Sequence, residues 1–247
     1  MDLNYIDMAM KAYLPKLSES EQERLRFFRT LWGVQAEVQK EHAAKVEHVV
    51  PDAGALKECS NAEQPVLRAY PADIPADALA DAVERLAGAM TVFEQFDQAT
   101  RDALAGVRWD RLVAASDMKL AGNDPSAYVE AFAGLLQDDG LGEDAGRMGA
   151  AVVSLALRAL LEPIAQEVQA ARVDGNADQP YPVHCPVCGC EASVAHVGQA
   201  GTKTKGRGRA PVVRAVRLRL GYRARALRSL RHAESGPFAF LQRRGRR

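Results

Sequence analysis

Through the first 173 positions, apolar residues return every three or four places, the spacing of one helix face. A short helix is predicted from Asp2 to about Leu14, before Pro15. Ser18 or Ser20, followed three residues on by Glu21 or Glu23, has the pattern of a capping box. Leu25, Phe28, Leu31, Trp32 and Val38 then form a stripe predicting a long helix to about Val49, stopped by Pro51. Residues 51–75 hold four prolines and read as a loop crossing the surface. Asp73 or Pro75 opens the next helix, with Leu79, Val83, Leu86 and Met90 on one face. Thr91–Gly106 and Arg108–Ala121 read as two more. Asn123–Ser126 reads as a capping turn before Tyr128, Phe132 and Leu135. Gly140 and Gly142 end that helix, and Glu143 begins a last one to about Val173.

Within that last helix, MGAAVVSLALRALL (148–161) is apolar nearly all round, which places it at the centre of a bundle. No run of 18 apolar residues occurs, and Arg158 interrupts the candidate, so no membrane insertion is expected. The start, MDLNYIDMAMK, lacks the basic-then-apolar order of a signal peptide, so a cytoplasmic protein is expected. The expected fold is all-α: a multi-helix domain over 1–173, then a Pro/Gly/Asn linker, DGNADQPYPV, at 174–183.

After the linker comes HCPVCGC, His184 to Cys190. Cys185 and Cys188 have the spacing of a metal knuckle, in which two thiolates two residues apart face one cation. Pro186 stiffens the turn, and Gly189 supplies the left-handed backbone needed to leave it. A structural tetrahedral site needs four ligands, and no cysteine follows Cys190. Cys190 and His196 are the local candidates for the other two, although their spacing is irregular. His184 is expected to face solvent. A redox dithiol is the competing reading, but that motif opens a helix inside a βαβ unit, and here a proline linker precedes it. Cys59, far away in the 51–75 segment, reads as a partly buried free thiol.

Other residues are weaker candidates. His42 and His48 are placed on one long helix at a spacing that does not bind metal, and solvated or capping roles are expected. Asp138–Asp139 and Glu143–Asp144 flank a helix break and read as exposed caps, not an acid–base pair. There is no phosphate loop, no defensible Ser-His-Asp order and no helical HExxH, so no enzyme is expected.

Charge changes the picture at the C-terminal end. The chain has 32 Lys and Arg against 32 Asp and Glu. Of these, residues 201–247 hold 15 bases and one acid, Glu234, which leaves 17 bases and 31 acids in residues 1–200. The last 47 residues therefore carry +14 and the rest −14.

The helical segment around FFRTLWGVQAEVQ, the apolar AAVVSLALRALLEPI, the proline linker and HCPVCG together resemble the formate dehydrogenase accessory protein (FdhE) family over about residues 15–200. The resemblance implies an accessory factor, not an enzyme. It implies contact with the catalytic subunit of formate dehydrogenase, and iron or zinc held by paired cysteines in a rubredoxin-like or zinc-ribbon-like module. Cys185 and Cys188 match the first pair. Cys190 falls where the family commonly has a small residue and is not carried over. The family's later pairs are missing: near position 210, where the second is expected, stands KTKGRGRAPVVRAVRLRL.

The organisation expected is thus a helical domain (1–173), a linker (174–183), a partial metal knuckle (184–201) and a basic tail (202–247). Three readings of the tail compete. Dense Arg and Gly suit a nucleic-acid arm. Val213, Val216, Leu220, Leu227 and Leu230 share a helical face suited to a membrane surface, although Arg217, Gly221 and Arg223 interrupt it. The third reading is an out-of-frame, structureless C-terminus, which also explains why acids and ligand cysteines vanish together. On that reading the accessory factor is an impaired form.

Overall fold

The computed structural model describes residues 3–173 and 184–190, with the backbone of two short strands beyond them. The helical expectation holds: residues 3–173 form ten α-helices and no strand. In order these are α1 (Leu3–Tyr13), α2 (Glu19–His42), α3 (Ala53–Asn61), α4 (Val66–Ala69) and α5 (Ala76–Thr91). Then come α6 (Gln98–Ala105), α7 (Trp109–Ala115), α8 (Met118–Asn123), α9 (Pro125–Asp138) and α10 (Glu143–Val173). The strands β1 (Ala192–Val197) and β2 (Arg209–Val213) pair antiparallel, with Val197 opposite Arg209 and Ala192 opposite Val213. The 174–183 linker lies outside the described residues.

Helix α10 is the axis. Val152, Val153, Ala156, Leu157, Leu160, Leu161 and Ile164 are buried along it, packed by α2, α5, α6 and α9. By length and composition it could cross a membrane, yet 61% of its apolar window is buried inside the body. Gly149 lets α9 come close, since a Cβ there would lie 2.7 Å from Leu136 Cδ1. Leu79, Val83, Leu86 and Met90 of α5 are all buried, as their spacing requires. Ser18 and Glu21 make the capping box that starts α2, the Ser18 N–H donating to Glu21 Oε2 at 2.8 Å.

Three sequence expectations need correction. First, α2 ends at His42 and not near Val49. A short 3₁₀ turn, Ala43–Lys45, follows. The chain then runs extended, because Glu47 and Asp73 exchange both backbone hydrogen bonds, at 3.0 and 2.7 Å.

Second, 51–75 is not a surface loop. It contains α3 and α4 and buries Leu56, Cys59, Val66, Leu67, Ala72 and Ile74. Its prolines sit between elements rather than inside them: Pro65 and Pro75 are the residues before α4 and α5.

Third, 91–121 is three short helices, not two. Phe93 leaves the helical path to stack on Phe27, with centroids 4.0 Å apart, and meets Phe96 edge-on. Asp97 and Asp117 then restart helices by accepting from the N–H groups of Thr100 and of Lys119 and Leu120.

Candidate metal knuckle on the helical body

The turn from Cys185 to Cys190 closes on itself. The Gly189 N–H donates to Cys185 O, and the Cys185 N–H donates to Cys190 O, each at 2.8 Å. The N–H groups of Val187 and Cys188 point at the Cys185 sulfur. Gly189 adopts φ +76°, the left-handed backbone its position requires, and a Cβ there would meet Pro65 Cγ at 2.8 Å. Backbone N–H groups aimed at a sulfur stabilise a thiolate, as a half-site for a thiophilic cation would require.

The knuckle is seated on the helical body. Val66 N–H donates to Pro186 O at 2.9 Å and Leu67 N–H to Val187 O at 3.0 Å. These are first-turn donors of α4, which have no carbonyl partner inside their own helix. Val187 is fully buried, and Cys185 and Cys188 are 1% and 2% exposed. Cys190 is half-buried beside the start of α9, where the Ser126 side chain hydrogen-bonds its sulfur and the Asp124 carboxylate lies nearby. Asp124 in turn caps α9 and binds Arg68 of α4. One corner therefore joins α4, the start of α9 and the knuckle. Helix α8 packs beneath it, with Gly122 O accepting from Ala72 N–H at 3.1 Å.

The three thiols are inequivalent. Burial pushes the Cys185 thiol up, but hydrogen bonds from the Cys188 side chain and from the Cys188 and Val187 N–H groups outweigh it, and its pKa is lowered. Cys188 lies within hydrogen-bond reach of both Cys185 and Cys190, and these neighbours, with burial, hold its thiol well above the ordinary range. Cys190 is lowered to about 7, first by the Cys188 hydrogen bond, with burial opposing and Ser126 assisting. All four cysteines are free thiols.

Of the sequence candidates, Cys185, Cys188 and Cys190 come together, and His184 is exposed as expected. The His196 backbone lies on β1 opposite Ala210, while its side chain lies outside the described residues. Among the described residues no third and fourth ligand closes around Cys185 and Cys188. The donor chemistry fits half of a tetrahedral thiolate site. Cys59 is a buried thiol on α3. Of the tail, 209–213 is β2; 198–208 and 214–247 lie outside the described residues.

Sequence reasoning missed the surroundings of Cys190. Ser126 and Asp124 were legible as a cap, but their approach to Cys190 is tertiary. The histidines are also corrected. His42 is buried, not solvated, and its Nε2 lies 2.7 Å from Asp81 Oδ2. His48 lies past α2, bound at 3.0 Å to Glu167 of α10. Glu41, His42 and Asp81 are the described trio whose ligand atoms all lie within 4.8 Å of one another. Arg85 already bridges their carboxylates, 2.7 Å from Glu41 and 3.5 Å from Asp81, with Glu37 at 3.0 Å. A guanidinium in that place supplies the countercharge that a metal would.

Compared with family models, characterised proteins and solved structures, the chain has no match.

Proposed function

We propose that this chain is a non-catalytic accessory factor of the formate dehydrogenase type, which binds the catalytic subunit of that enzyme in the cytoplasm. What supports the reading is the CPVCG turn: preshaped for a thiolate half-site and seated on a helical body. Cys185 and Cys188 are the residues that would hold iron or zinc. Cys190 and His196 are the further candidates, and Cys190 alone of them has a described side chain beside the pair. A metal there would supply structural rigidity to the turn. The acidic body, net −14 over residues 1–200, suits a basic client face.

The test is co-purification of the tagged full chain with a formate dehydrogenase catalytic subunit. Charge reversal at exposed acids of the body is expected to weaken recovery. Recovery that survives those changes but is abolished by Cys185→Ser would place the client surface at the knuckle. No recovery in either case would remove the reading.

The second reading is a metal-knuckle protein that binds nucleic acid, and the observation favouring it is the +14 of the last 47 residues. Binding to mixed-sequence DNA or RNA that weakens steeply with salt would support it. The coding DNA decides between a native arm and an out-of-frame end. If an alternative frame downstream of the Thr202 codon encodes further C-x-x-C pairs and a normal acid content, this form is impaired.

A further inference from the structure

The two sulfurs of the half-site face inward. Cys185 and Cys188 are 1% and 2% exposed, and Val187 between them is fully buried. A hydrated cation cannot pass through packing of that density to reach them. The seat that covers them is small. It includes two backbone hydrogen bonds to Val66 and Leu67, the buried Cys185, Val187 and Cys188 side chains, Gly189 against the Pro65 ring, and the Ser126 bond to Cys190. The body has its own core around α10, to which the knuckle adds at one corner. Small, peripheral sets of contacts of this kind open on their own, below the free energy of global unfolding.

We infer that the knuckle is a latch: the seat on Pro65–Leu67 opens without unfolding the helical body, and Cys185 and Cys188 exchange a thiophilic divalent cation only while it is open. The cation clause rests on the function proposed above; the latch itself does not. Cys190 marks the edge of the latch, because it is the knuckle thiol that solvent already reaches.

The experiment is alkylation of the metal-free full chain by N-ethylmaleimide, followed cysteine by cysteine by mass spectrometry of peptides. Cys190 is expected to react first. Cys185 and Cys188 should follow together, at least about tenfold more slowly, and Cys59 in α3 more slowly still. Val187→Ala should raise the Cys185 and Cys188 rates roughly tenfold and leave the Cys59 rate unchanged. Should that variant fold poorly, the urea dependence of the rates in the unaltered chain decides instead. A latch gives a shallow slope for Cys185 and Cys188 and a steep one for Cys59. The inference is overturned if Cys185 and Cys188 react as fast as Cys190, or if their slopes equal that of Cys59. A parallel measurement with zinc, removed by a chelator, separates the two claims. If zinc never binds, the metal reading fails while the alkylation classes still decide the latch.

Discussion

Gly122 lies so close to Ala72 that a Cβ on Gly122 would stand 1.8 Å from the Ala72 carbonyl oxygen. No side-chain rotation relieves such a contact, because both partners are backbone. Gly122→Ala is therefore expected to cost about 3 kcal/mol or more, by forcing α8 away from the segment that leads into α5. Gly88, exposed in the last turn of α5, has nothing within 4 Å of the same hypothetical atom. Gly88→Ala should stabilise by about 0.5–1 kcal/mol, through helix propensity and a less flexible unfolded chain. Urea midpoints of the two variants should move in opposite directions.

The helical body should stand without the knuckle, at reduced stability. Ending the chain at Asp178 removes the burial of Val187, worth about 1.5–3 kcal/mol, and two hydrogen bonds, each about 1 kcal/mol. Against a typical total of roughly 5–15 kcal/mol, the α10 core survives that loss. Thermal unfolding should remain cooperative and strongly helical, with a lower midpoint than the full chain. An unchanged midpoint would mean that the knuckle is not seated in solution.

Metal should bind weakly and below one equivalent. Two thiolates without a fixed third and fourth ligand forfeit most of the binding energy of a closed site. Elemental analysis after mild chelation is expected to find well under one zinc or iron per chain, and Cys185→Ser or Cys188→Ser to remove the remainder. One tightly held ion that Cys190→Ser releases would show that Cys190 completes the site.

The hold of helix α1 on α2 should loosen in acid. Asp7 holds Arg29 of α2 through two bonds, at 2.5 and 3.0 Å. That hydrogen bond keeps the Asp7 carboxyl below its ordinary value, against some burial. A carboxyl depressed in the folded state stabilises fully above its unfolded pKa of about 3.9, and the contribution is lost as pH falls through the lower folded value. Limited proteolysis with pepsin should cut the 13–18 connection faster as pH falls below 4. Asp7→Asn should give a similar sensitivity with an acid protease at pH 5.

Much of the body was legible because it obeys local rules. The capping box at Ser18, the stripe of α5 and the all-round apolar α10 each require only neighbours in sequence. The misread stretches are those governed by distant partners. Val66 and Leu67 looked like part of a proline-rich loop, because their helical turn depends on Pro186 and Val187 for hydrogen-bond partners. The end of α2 was missed because Asp73 draws Glu47 into an extended pair. At the knuckle, the Cys185–Cys188 spacing and the left-handed Gly189 followed from the motif. The Ser126 contact to Cys190 followed from nothing local. His42 was misread for the same reason: Asp81, its partner, lies on another helix.

The seat of the knuckle also sets an order of events in the life of the chain. Val66 and Leu67 leave the ribosome long before Pro186 and Val187 exist, and contacts between distant segments form late. Helix α4 is one turn long, too short to persist alone. Its first turn is finished only when the last part of the fold arrives. Until then the thiols are open to solvent. On the function proposed above, a chain that seats before meeting an ion would be closed to it until the seat next opens.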